Sequence, residues 1–342
     1  MTAGKRIHGE EAIIQQFLAP LAAGYAGAYA LKDDCAAITP TPGHDVIVKT
    51  DPVAEGVHFH ADDPPEDIGW KALAVNVSDL AAKAARPVAY LMALSFPEAP
   101  EADWMRRFAD GLGDAQRAFG MHLIGGDTDR RPGPVSITIT VFGEVPSGRM
   151  VQRAAAKPGD RLYVSGALGS AALGLALRRN GAAALLPRWG LDPRAPTAPG
   201  DWHAALDAYL RPKPRLALRT ALATHARAAM DLSDGLAKDL GRMCKASGCG
   251  ATVDLARLPM LPVVARAVAA EPALWQAAAA SGDDYEVLAA IPPSESAGFE
   301  AAAHRDGVPV THIGDCRDGA GVEFRDASGA TVTFASTGWD HF

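Results

Sequence analysis

Cysteine is scarce in this sequence. Its four cysteines, Cys35, Cys244, Cys249 and Cys316, are spread over most of the 342 residues. So few cysteines at such spacing exclude the disulfide framework of a small secreted protein. Cys244 and Cys249 also lack the second ligand pair of a structural zinc site. We therefore expect free, buried or half-buried thiols in a reducing cytoplasm.

Long apolar runs and an excess of positive charge are also missing. No stretch approaches the roughly 20 apolar residues that cross a membrane, and Glu10 and Glu11 fall where a signal peptide needs apolar side chains. Lys and Arg number 33 against 40 Asp and Glu, which gives a net charge of −7. A nucleic acid or an anionic membrane would require a basic surface. We expect a cytoplasmic protein with neither partner.

What the sequence does contain is typical of a soluble protein with two domains. Hydrophobic residues make up 48% and charged residues 21% of a chain whose length exceeds one ordinary core. Residues 144–160 are rich in turn-forming residues and indicate the join between domains. We predict domains over 1–148 and 149–342, each a layered α/β (mixed α+β) structure.

Several elements are predicted by their periodicity. They are a strand over 45–50, a helix over 69–86 that Pro87 ends, a helix over 103–119 with Asp103 as N-cap and Gly120 beyond its end, and strands over 135–143 and 161–165. A glycine-rich turn follows the last strand but lacks both phosphate-loop spacings. Its glycines therefore indicate close packing of strand against helix.

Six short segments place aspartate beside glycine, serine, threonine or a second aspartate at the edge of a predicted element. They are Asp33-Asp34, Thr50-Asp51, Ser78-Asp79, Gly126-Asp127, Asp231 to Asp234, and Asp283-Asp284. Taken singly, each is typical of a turn or a helix cap. Taken together, they are typical of a Mg²⁺ site that also binds phosphate, because Mg²⁺ prefers oxygen ligands. Their convergence in the fold is a hypothesis.

Two of these segments carry additional signals. Asp79 lies in the apolar helical segment ALAVNVSDLAA, where an uncompensated carboxylate would be costly to bury. Ser233 or Asp234 is expected to cap a helix that ends near Gly248, and the amides at such a helix start attract phosphate. Helix capping without phosphate binding would also explain a serine at position 233. Arg153 is either a phosphate ligand or a solvated surface residue.

Together these segments resemble the thiamine-monophosphate kinases, which share a superfamily with aminoimidazole ribonucleotide synthetase and selenophosphate synthetase. The resemblance covers nearly the whole chain and includes DDCAAI, KTDPVAEGVHF, KALAVNVSDLAA, LIGGDT, AKPGD, DLSDGLAKDLG, SGDDYE and GWDHF. It implies Mg²⁺-dependent phosphorylation of thiamine monophosphate (TMP) by ATP. It also implies a homodimer whose N-terminal domains bind ATP and form a β-barrel-like core, with C-terminal domains that cover the site.

The resemblance implies a role for individual residues as well. The Mg²⁺ shell would comprise Asp34, Thr50, Asp51, Asp79, Asp127, Asp231 and Asp234. ATP would contact Gly126, Arg153 and Ser233. TMP would contact His58, Asp283 and Trp339, with the Trp339 ring against the cationic thiazolium. No residue is implied to act as a covalent nucleophile.

The sequence departs from the family pattern at several positions. Lys32 replaces a glycine before the paired aspartates, and Lys49 replaces a small hydroxyl residue before Thr50-Asp51. Further departures fall at 83–84 and 129–131. None removes a carboxylate, so these differences bear on the number of Mg²⁺ ions.

Two alternative functions stay open at the level of sequence. One is another ATP-using enzyme of the same fold, such as an aminoimidazole ribonucleotide synthetase. The other is a nucleotide- or thiamine-binding homologue without turnover, since fold alone does not determine activity. Selenophosphate synthesis is disfavoured, because no reactive cysteine lies in an early glycine-rich loop.

Overall fold

The computed structural model describes residues 6–7, 9–194, 201–334 and 338–339. In these residues the strands are β1 (His44–Ala54), β2 (Arg86–Phe96), β3 (Leu123–Arg130), β4 (Ser136–Pro146), β5 (Arg161–Ser165), β6 (Ala228–Leu232), β7 (Gly250–Asp254), β8 (Glu286–Ile291), β9 (Val310–Arg317), β10 (Val322–Arg325) and β11 (Thr331–Val332). The α-helices are α1 (Glu10–Ile13), α2 (Pro65–Ala82), α3 (Ala102–Phe119), α4 (Ser170–Asn180), α5 (Ala182–Leu185), α6 (Trp202–Leu210), α7 (Arg219–His225), α8 (Leu236–Ser247), α9 (Pro262–Ala270), α10 (Leu274–Ala280) and α11 (Ser296–Arg305).

The described residues form two compact units. The first contains the residues up to Leu80 together with Ala85–Arg149, and the second contains Ala81–Ala84 together with the residues from Met150 onward. Each unit has its own sheet. The functional roles predicted for domains 1–148 and 149–342 stay predictions.

The first unit is built on an open four-stranded sheet in the order β1-β4-β2-β3. Strand β4 runs antiparallel to β1 and β2, whereas β3 runs parallel to β2. The strands β1 and β3 are the two edges, and no closed barrel exists within the described residues. Fully buried side chains of α2 and α3, such as Leu73, Val77 and Leu112, contribute to the core together with Ile137 and Ile139 of β4.

Two glycines let α2 and α3 approach each other closely. A Cβ atom at Gly69 would lie 2.3 Å from the carbonyl oxygen of Phe108, and one at Gly111 would lie 1.9 Å from that of Glu66. Neither position can carry a side chain without moving a helix. The crossing fixes the position of α2, which also bears Asp79.

Two predicted helix boundaries are wrong. Helix α2 ends at Ala82, well before Pro87, because Ala84 adopts a left-handed backbone with φ 59°. Helix α3 has Glu101 rather than Asp103 at its N-cap position, and the Glu101 side chain makes no capping bond. Its predicted end is confirmed, since Gly120 has φ 70° and closes the helix.

The second unit is built on a seven-stranded sheet in the order β11-β10-β7-β9-β5-β8-β6, counted over the described residues. Only β10 and β7 pair in parallel, and the other neighbours are antiparallel. Strand β8 is buried along its whole length. A mixed α/β architecture with two units is therefore confirmed.

The glycines of the turn after β5 serve close packing, but they pack against helices rather than bringing strand against helix as predicted. A Cβ atom at Gly169 would lie 2.7 Å from Ala278, and one at Gly174 would lie 2.1 Å from the carbonyl oxygen of Ala205. Both helices that pack there, α6 and α10, would have to move to accept a side chain. Close approach therefore explains these glycines.

The thiols differ from the prediction at one position. Cys244, Cys249 and Cys316 are buried and free, but Cys35 is exposed. Burial raises the pKa of the Cys244 thiol to about 12, which keeps it protonated at neutral pH. Within the described part of the chain, every helix is too short or too polar to cross a bilayer.

Candidate functional site

Strand β1 and helix α2 bring two of the predicted aspartates together. Asp51 of β1 and Asp79 of α2 both contact the ammonium of Lys49, whose Nζ lies 2.9 Å from Asp51 Oδ2 and 2.8 Å from Asp79 Oδ2. Lys49 and Asp51 are two residues apart on one strand and therefore share a face. One cation thus bridges two carboxylates in the first unit.

A buried amide sets the spacing of these carboxylates. The Asn76 side chain is fully buried in α2, and its Oδ1 accepts a hydrogen bond of 2.8 Å from the backbone N–H of Asp51. Its Nδ2 donates to the carbonyl oxygen of Ala72 at 3.1 Å. Asn76 therefore ties the edge strand β1 to α2, one helical turn from Asp79. Asn76 was not among the predicted site residues, although a polar side chain in an apolar helix was its signal.

The cluster raises the pKa values of Lys49 and Asp51. Burial lowers the pKa of Lys49, but the charges and hydrogen bonds of Asp79 and Asp51 outweigh burial, so the net pKa lies above its ordinary value. Burial raises the pKa of Asp51, and Lys49 offsets only part of that rise. Lys49 therefore stays charged at neutral pH.

Thr50 and His58 take other positions near β1. Thr50 lies between Lys49 and Asp51, and its hydroxyl donates to the carbonyl oxygen of Ile139 at 3.2 Å and accepts from Thr140 Oγ1 at 2.9 Å. Its side chain is therefore engaged with β4. His58 Nδ1 accepts a hydrogen bond of 3.0 Å from the backbone N–H of Ala54, at the end of β1.

Three other predicted residues of the first unit lie apart from this pair. Asp127 is exposed on β3, which β2 and β4 separate from β1. Gly126 beside it cannot carry a side chain, because a Cβ atom would lie 1.8 Å from the carbonyl oxygen of Met92. Asp34 is exposed after a 3-10 segment (Ala26–Leu31). Their roles as Mg²⁺ or ATP ligands stay predictions.

In the second unit the loop after β6 has a different cap from the one predicted. Neither Ser233 nor Asp234 caps α8, because Gly235 occupies the N-cap position. Instead, Asp239 Oδ2 accepts hydrogen bonds from the backbone N–H groups of Ser233 at 3.1 Å and Asp234 at 2.9 Å. A carboxylate of the protein thus binds the two backbone amides that were expected to attract phosphate.

Basic side chains neutralise this loop. Arg242 Nη1 lies 2.6 Å from Asp234 Oδ2 and 2.8 Å from Asp239 Oδ1, and Lys238 Nζ lies 3.7 Å from Asp234. Burial raises the pKa of Asp239, and the hydrogen bond from the Asp234 amide opposes that rise. Asp231, at the end of β6, is buried. Asp239 and Arg242 were not among the predicted site residues; their spacing of three residues within α8 was the signal in the sequence.

The loop before β8 lies directly against the loop after β6. The backbone N–H of Asp283 donates to the carbonyl oxygen of Ser233 at 2.9 Å, and that of Trp339 donates to the carbonyl oxygen of Asp234 at 3.0 Å. Asp283 has φ 71°, a conformation that costs free energy for an aspartate and is common at functional sites. The structure therefore gathers Ser233, Asp234, Asp283 and Trp339, although Trp339 lies far along the chain.

Arg153 contributes a backbone contact in the described residues. Its carbonyl oxygen accepts a hydrogen bond of 3.4 Å from Ser247 Oγ, at the end of α8. The side chain is exposed. Contact between Arg153 and ATP stays a prediction.

The donor atoms fit Mg²⁺ in kind. Asp51 and Asp79 offer carboxylate oxygens within one shared contact, and Mg²⁺ selects such ligands. In the described residues, however, no three His, Cys, Asp or Glu side chains are grouped as a complete metal site. Of the seven residues of the predicted Mg²⁺ shell, Asp51 and Asp79 share one contact in the first unit, and the Mg²⁺ roles of all seven stay predictions.

A largely buried ion pair at the start of β8 joins Arg215 and Glu286, neither of which was among the predicted site residues. Arg215 Nε donates to Glu286 Oε2 at 2.6 Å, and Arg215 Nη2 donates to Glu286 Oε1. Ser165 Oγ donates to Glu286 Oε2 at 2.6 Å. Arg215, Glu286 and Asp284 line a cleft of about 450 Å³ in the second unit. A glutamate at the start of the apolar strand EVLAAI was the signal in the sequence.

We predict a pH-dependent stability from Asp284. Its carboxylate oxygens accept hydrogen bonds from the backbone N–H groups of Gly169 at 2.9 Å and Ala171 at 3.4 Å. Burial nevertheless raises the pKa of Asp284 to about 8. Its pKa in the unfolded chain is about 3.9. Between these values the folded chain binds the extra proton, so stability falls as pH rises, by up to about 1.4 kcal/mol per pH unit.

Asp284→Asn should remove this dependence. We expect the variant to gain stability relative to the wild type as the pH of urea unfolding rises from about 5 to about 8. Asp207→Asn, at an exposed position of the same cleft, is the matched control and should follow the wild type. A parallel pH dependence in wild type and Asp284→Asn would contradict the assignment.

Comparison with known proteins identifies the class of fold. Residues 32–145 match the family described as AIR synthase related protein, N-terminal domain, and residues 157–327 match AIR synthase related protein, C-terminal domain. A HypE hydrogenase maturation protein in complex with ATP shares the fold at a TM-score of 0.74 and 18% identity, over 97% of this chain and 96% of that chain.

Relatives of higher sequence identity identify the family within this fold class. The thiamine-monophosphate kinase of Salmonella typhimurium is 42% identical over 91% of this chain and 90% of its own length, and that of Caulobacter vibrioides is 39% identical over 96% and 89%. The crystal structure of the Stenotrophomonas maltophilia thiamine-monophosphate kinase superposes with a TM-score of 0.77 at 37% identity, over 88% of this chain and 91% of that chain. The chain belongs to the thiamine-monophosphate kinase family. A further relative of known structure, AaThiL complexed with AMPPCP and TMP, has a TM-score of 0.74 at 28% identity, over 89% of both chains.

Proposed function

We propose that this protein is an enzyme that phosphorylates TMP to thiamine diphosphate with ATP as the phosphate donor. The observation that carries the proposal is the match to thiamine-monophosphate kinases over more than nine-tenths of the chain. A relative that binds an ATP analogue and TMP together supports the choice of substrates.

The proposed reaction is a direct transfer between two phosphates. An oxygen of the TMP phosphate attacks the γ-phosphorus of ATP, a new P–O bond forms, and the bond to the β-phosphate oxygen breaks, so that ADP leaves with the electron pair. The attacking oxygen is already anionic, so no strong general base is needed. Catalysis is then positioning and charge neutralisation.

The residues of the chain divide this task. Mg²⁺, where bound, would supply Lewis-acid stabilisation of the phosphate charge, and Asp34, Thr50, Asp51, Asp79, Asp127, Asp231 and Asp234 would hold it. Gly126, Arg153 and Ser233 would contact ATP. His58, Asp283 and Trp339 would orient TMP, and the left-handed backbone of Asp283 supports a functional role for that loop.

The proposal includes a cytoplasmic homodimer whose N-terminal domains form a shared barrel-like core. The open sheet of the first unit supports this part, because its edge strand β1 exposes Val46 and Val48. An exposed edge with apolar side chains invites pairing with a second copy.

The direct test is an assay of the purified protein with TMP, ATP and Mg²⁺. We expect thiamine diphosphate and ADP in equal amounts, and no product when free thiamine replaces TMP. A panel of other phosphate acceptors separates this reaction from that of another enzyme of the fold. Binding of ATP and TMP without product would instead support the homologue that lacks turnover.

Trp339→Ala should weaken TMP binding selectively. The Trp339 side chain is half exposed, while its backbone is held by Asp234. Loss of a cation–π contact with the thiazolium should raise KM for TMP by roughly 10-fold, with KM for ATP within about 2-fold of the wild type. Trp339→Phe is the control and should keep most of the affinity. An equal rise in both KM values would argue against this contact.

A further inference from the structure

The side chain of Lys49 lies between the carboxylates of Asp51 and Asp79 in the first unit. Lys49 Nζ contacts Asp51 Oδ2 at 2.9 Å and Asp79 Oδ2 at 2.8 Å. We infer that Lys49 is a built-in cation that takes the place of one divalent metal ion between Asp51 and Asp79. The inference rests on the proposed function only for the view that this pair belongs to a metal-dependent site.

The Lys49 ammonium lies where a cation that bridges Asp51 and Asp79 would lie. Two carboxylates that face each other repel unless a positive charge lies between them. Here that charge is covalently attached, and it lies almost equally far from one oxygen of each carboxylate. The distances are those of charge-assisted N–H···O hydrogen bonds. A metal ion bound to the same two oxygens would overlap with the ammonium.

The backbone holds the ammonium in this place. Lys49 and Asp51 lie on the same face of β1, and Asn76 ties the N–H of Asp51 to α2 at 2.8 Å. The Asp79 side chain is 19% exposed, that of Lys49 33% and that of Asp51 44%. The Lys49–Asp79 contact is therefore partly enclosed between β1 and α2, and Asp51 lies on its solvent side.

The Oδ2 atoms of both carboxylates face the Lys49 ammonium. Lys83, just beyond α2, donates from Nζ to the carbonyl oxygen of Ala229 at 2.7 Å. The Oδ1 atoms of Asp51 and Asp79 lie outside the two contacts with Lys49. Lys49 therefore replaces one ion and leaves each carboxylate a second oxygen for another.

The test is a count of bound metal. The full-length protein is titrated with Mn²⁺ alone, an oxygen-seeking ion whose free form is measured by electron paramagnetic resonance. We expect Lys49→Ser and Lys49→Met to bind about one more Mn²⁺ per chain than the wild type, because the carboxylates then need another cation. Lys49→Arg keeps the charge and should bind as many ions as the wild type.

Thermal unfolding gives a second measurement, which keeps the inference testable if a Lys49 variant is too unstable for the metal count. Without metal, Lys49→Ser and Lys49→Met should melt below the wild type, and excess Mn²⁺ should restore their Tm. A metal count equal to that of the wild type, or a loss of Tm that excess Mn²⁺ does not restore, would overturn the inference. Turnover of TMP by the wild type is assayed separately. If the wild type is inactive while the Lys49→Ser and Lys49→Met variants still bind an additional Mn²⁺, the kinase activity is refuted and the inference about Lys49 is kept.

Discussion

Asp79→Asn should lower kcat for TMP phosphorylation on the order of 100-fold or more. Asp79 contributes one of the two carboxylates that share the Lys49 ammonium, and its side chain is largely enclosed. Asparagine has the same shape but no charge, so the cations that neutralise ATP would lose a ligand while the packing of α2 is kept. The measurement is steady-state kinetics at saturating ATP and TMP.

The control for this prediction is Asp110→Asn. Asp110 lies on the outer face of α3, with its side chain 65% exposed and paired only with Arg106 in the described residues. Circular dichroism should match the wild type for both variants, whereas Tm should match it only for Asp110→Asn, because Asp79→Asn also removes a partner of the Lys49 ammonium. A kcat of Asp79→Asn within about threefold of Asp110→Asn would remove Asp79 from the catalytic site.

Arg215→Met should strongly lower the free energy of unfolding. It removes the guanidinium from a nearly buried carboxylate, Glu286, whose side chain is only 6% exposed. Breaking a buried ion pair from one side leaves an uncompensated charge and costs about 3–5 kcal/mol. We expect the free energy of unfolding in urea to fall by about that amount, with the m-value unchanged.

A second substitution separates charge from packing. Glu286→Gln in the Arg215→Met background removes the orphaned charge and should recover part of the loss. Arg106→Met, which breaks exposed ion pairs on α3, should leave the unfolding free energy close to that of the wild type. Equal losses for Arg106→Met and Arg215→Met would show that the buried pair has no special weight.

Local sequence patterns predict the elements near the site but not all their ends. The strand over 161–165 and the helix end at Gly120 follow from periodicity and from the conformational freedom of glycine, and both are confirmed. The end of α2 does not follow, because Ala84 adopts a left-handed backbone that an alanine rarely takes. Ala84 packs against a buried cluster that includes Val151 and Leu222, a tertiary contact that no local rule includes.

The candidate site shows the same division. Motifs point to Asp51 and Asp79, and strand periodicity places Lys49 beside Asp51, but no pattern along the chain shows that Lys49 bridges the two. The amides of Ser233 and Asp234 were predicted to be open to phosphate, whereas Asp239 of the following helix binds them. Arg215 and Glu286 are 71 positions apart. Such partners are determined by topology, which the sequence alone leaves undefined.

The buried amide of Asn76 makes the acidic pair part of the cooperative core. Since Asn76 Oδ1 accepts the N–H of Asp51 and is itself fully buried, that N–H can reach solvent only when β1 separates from α2. Its hydrogen exchange should therefore be far slower than that of an ordinary edge-strand amide, with an opening free energy near that of global unfolding. The two carboxylates would then keep their spacing through the small fluctuations that loosen surface loops, and would lose it only when the whole unit opens.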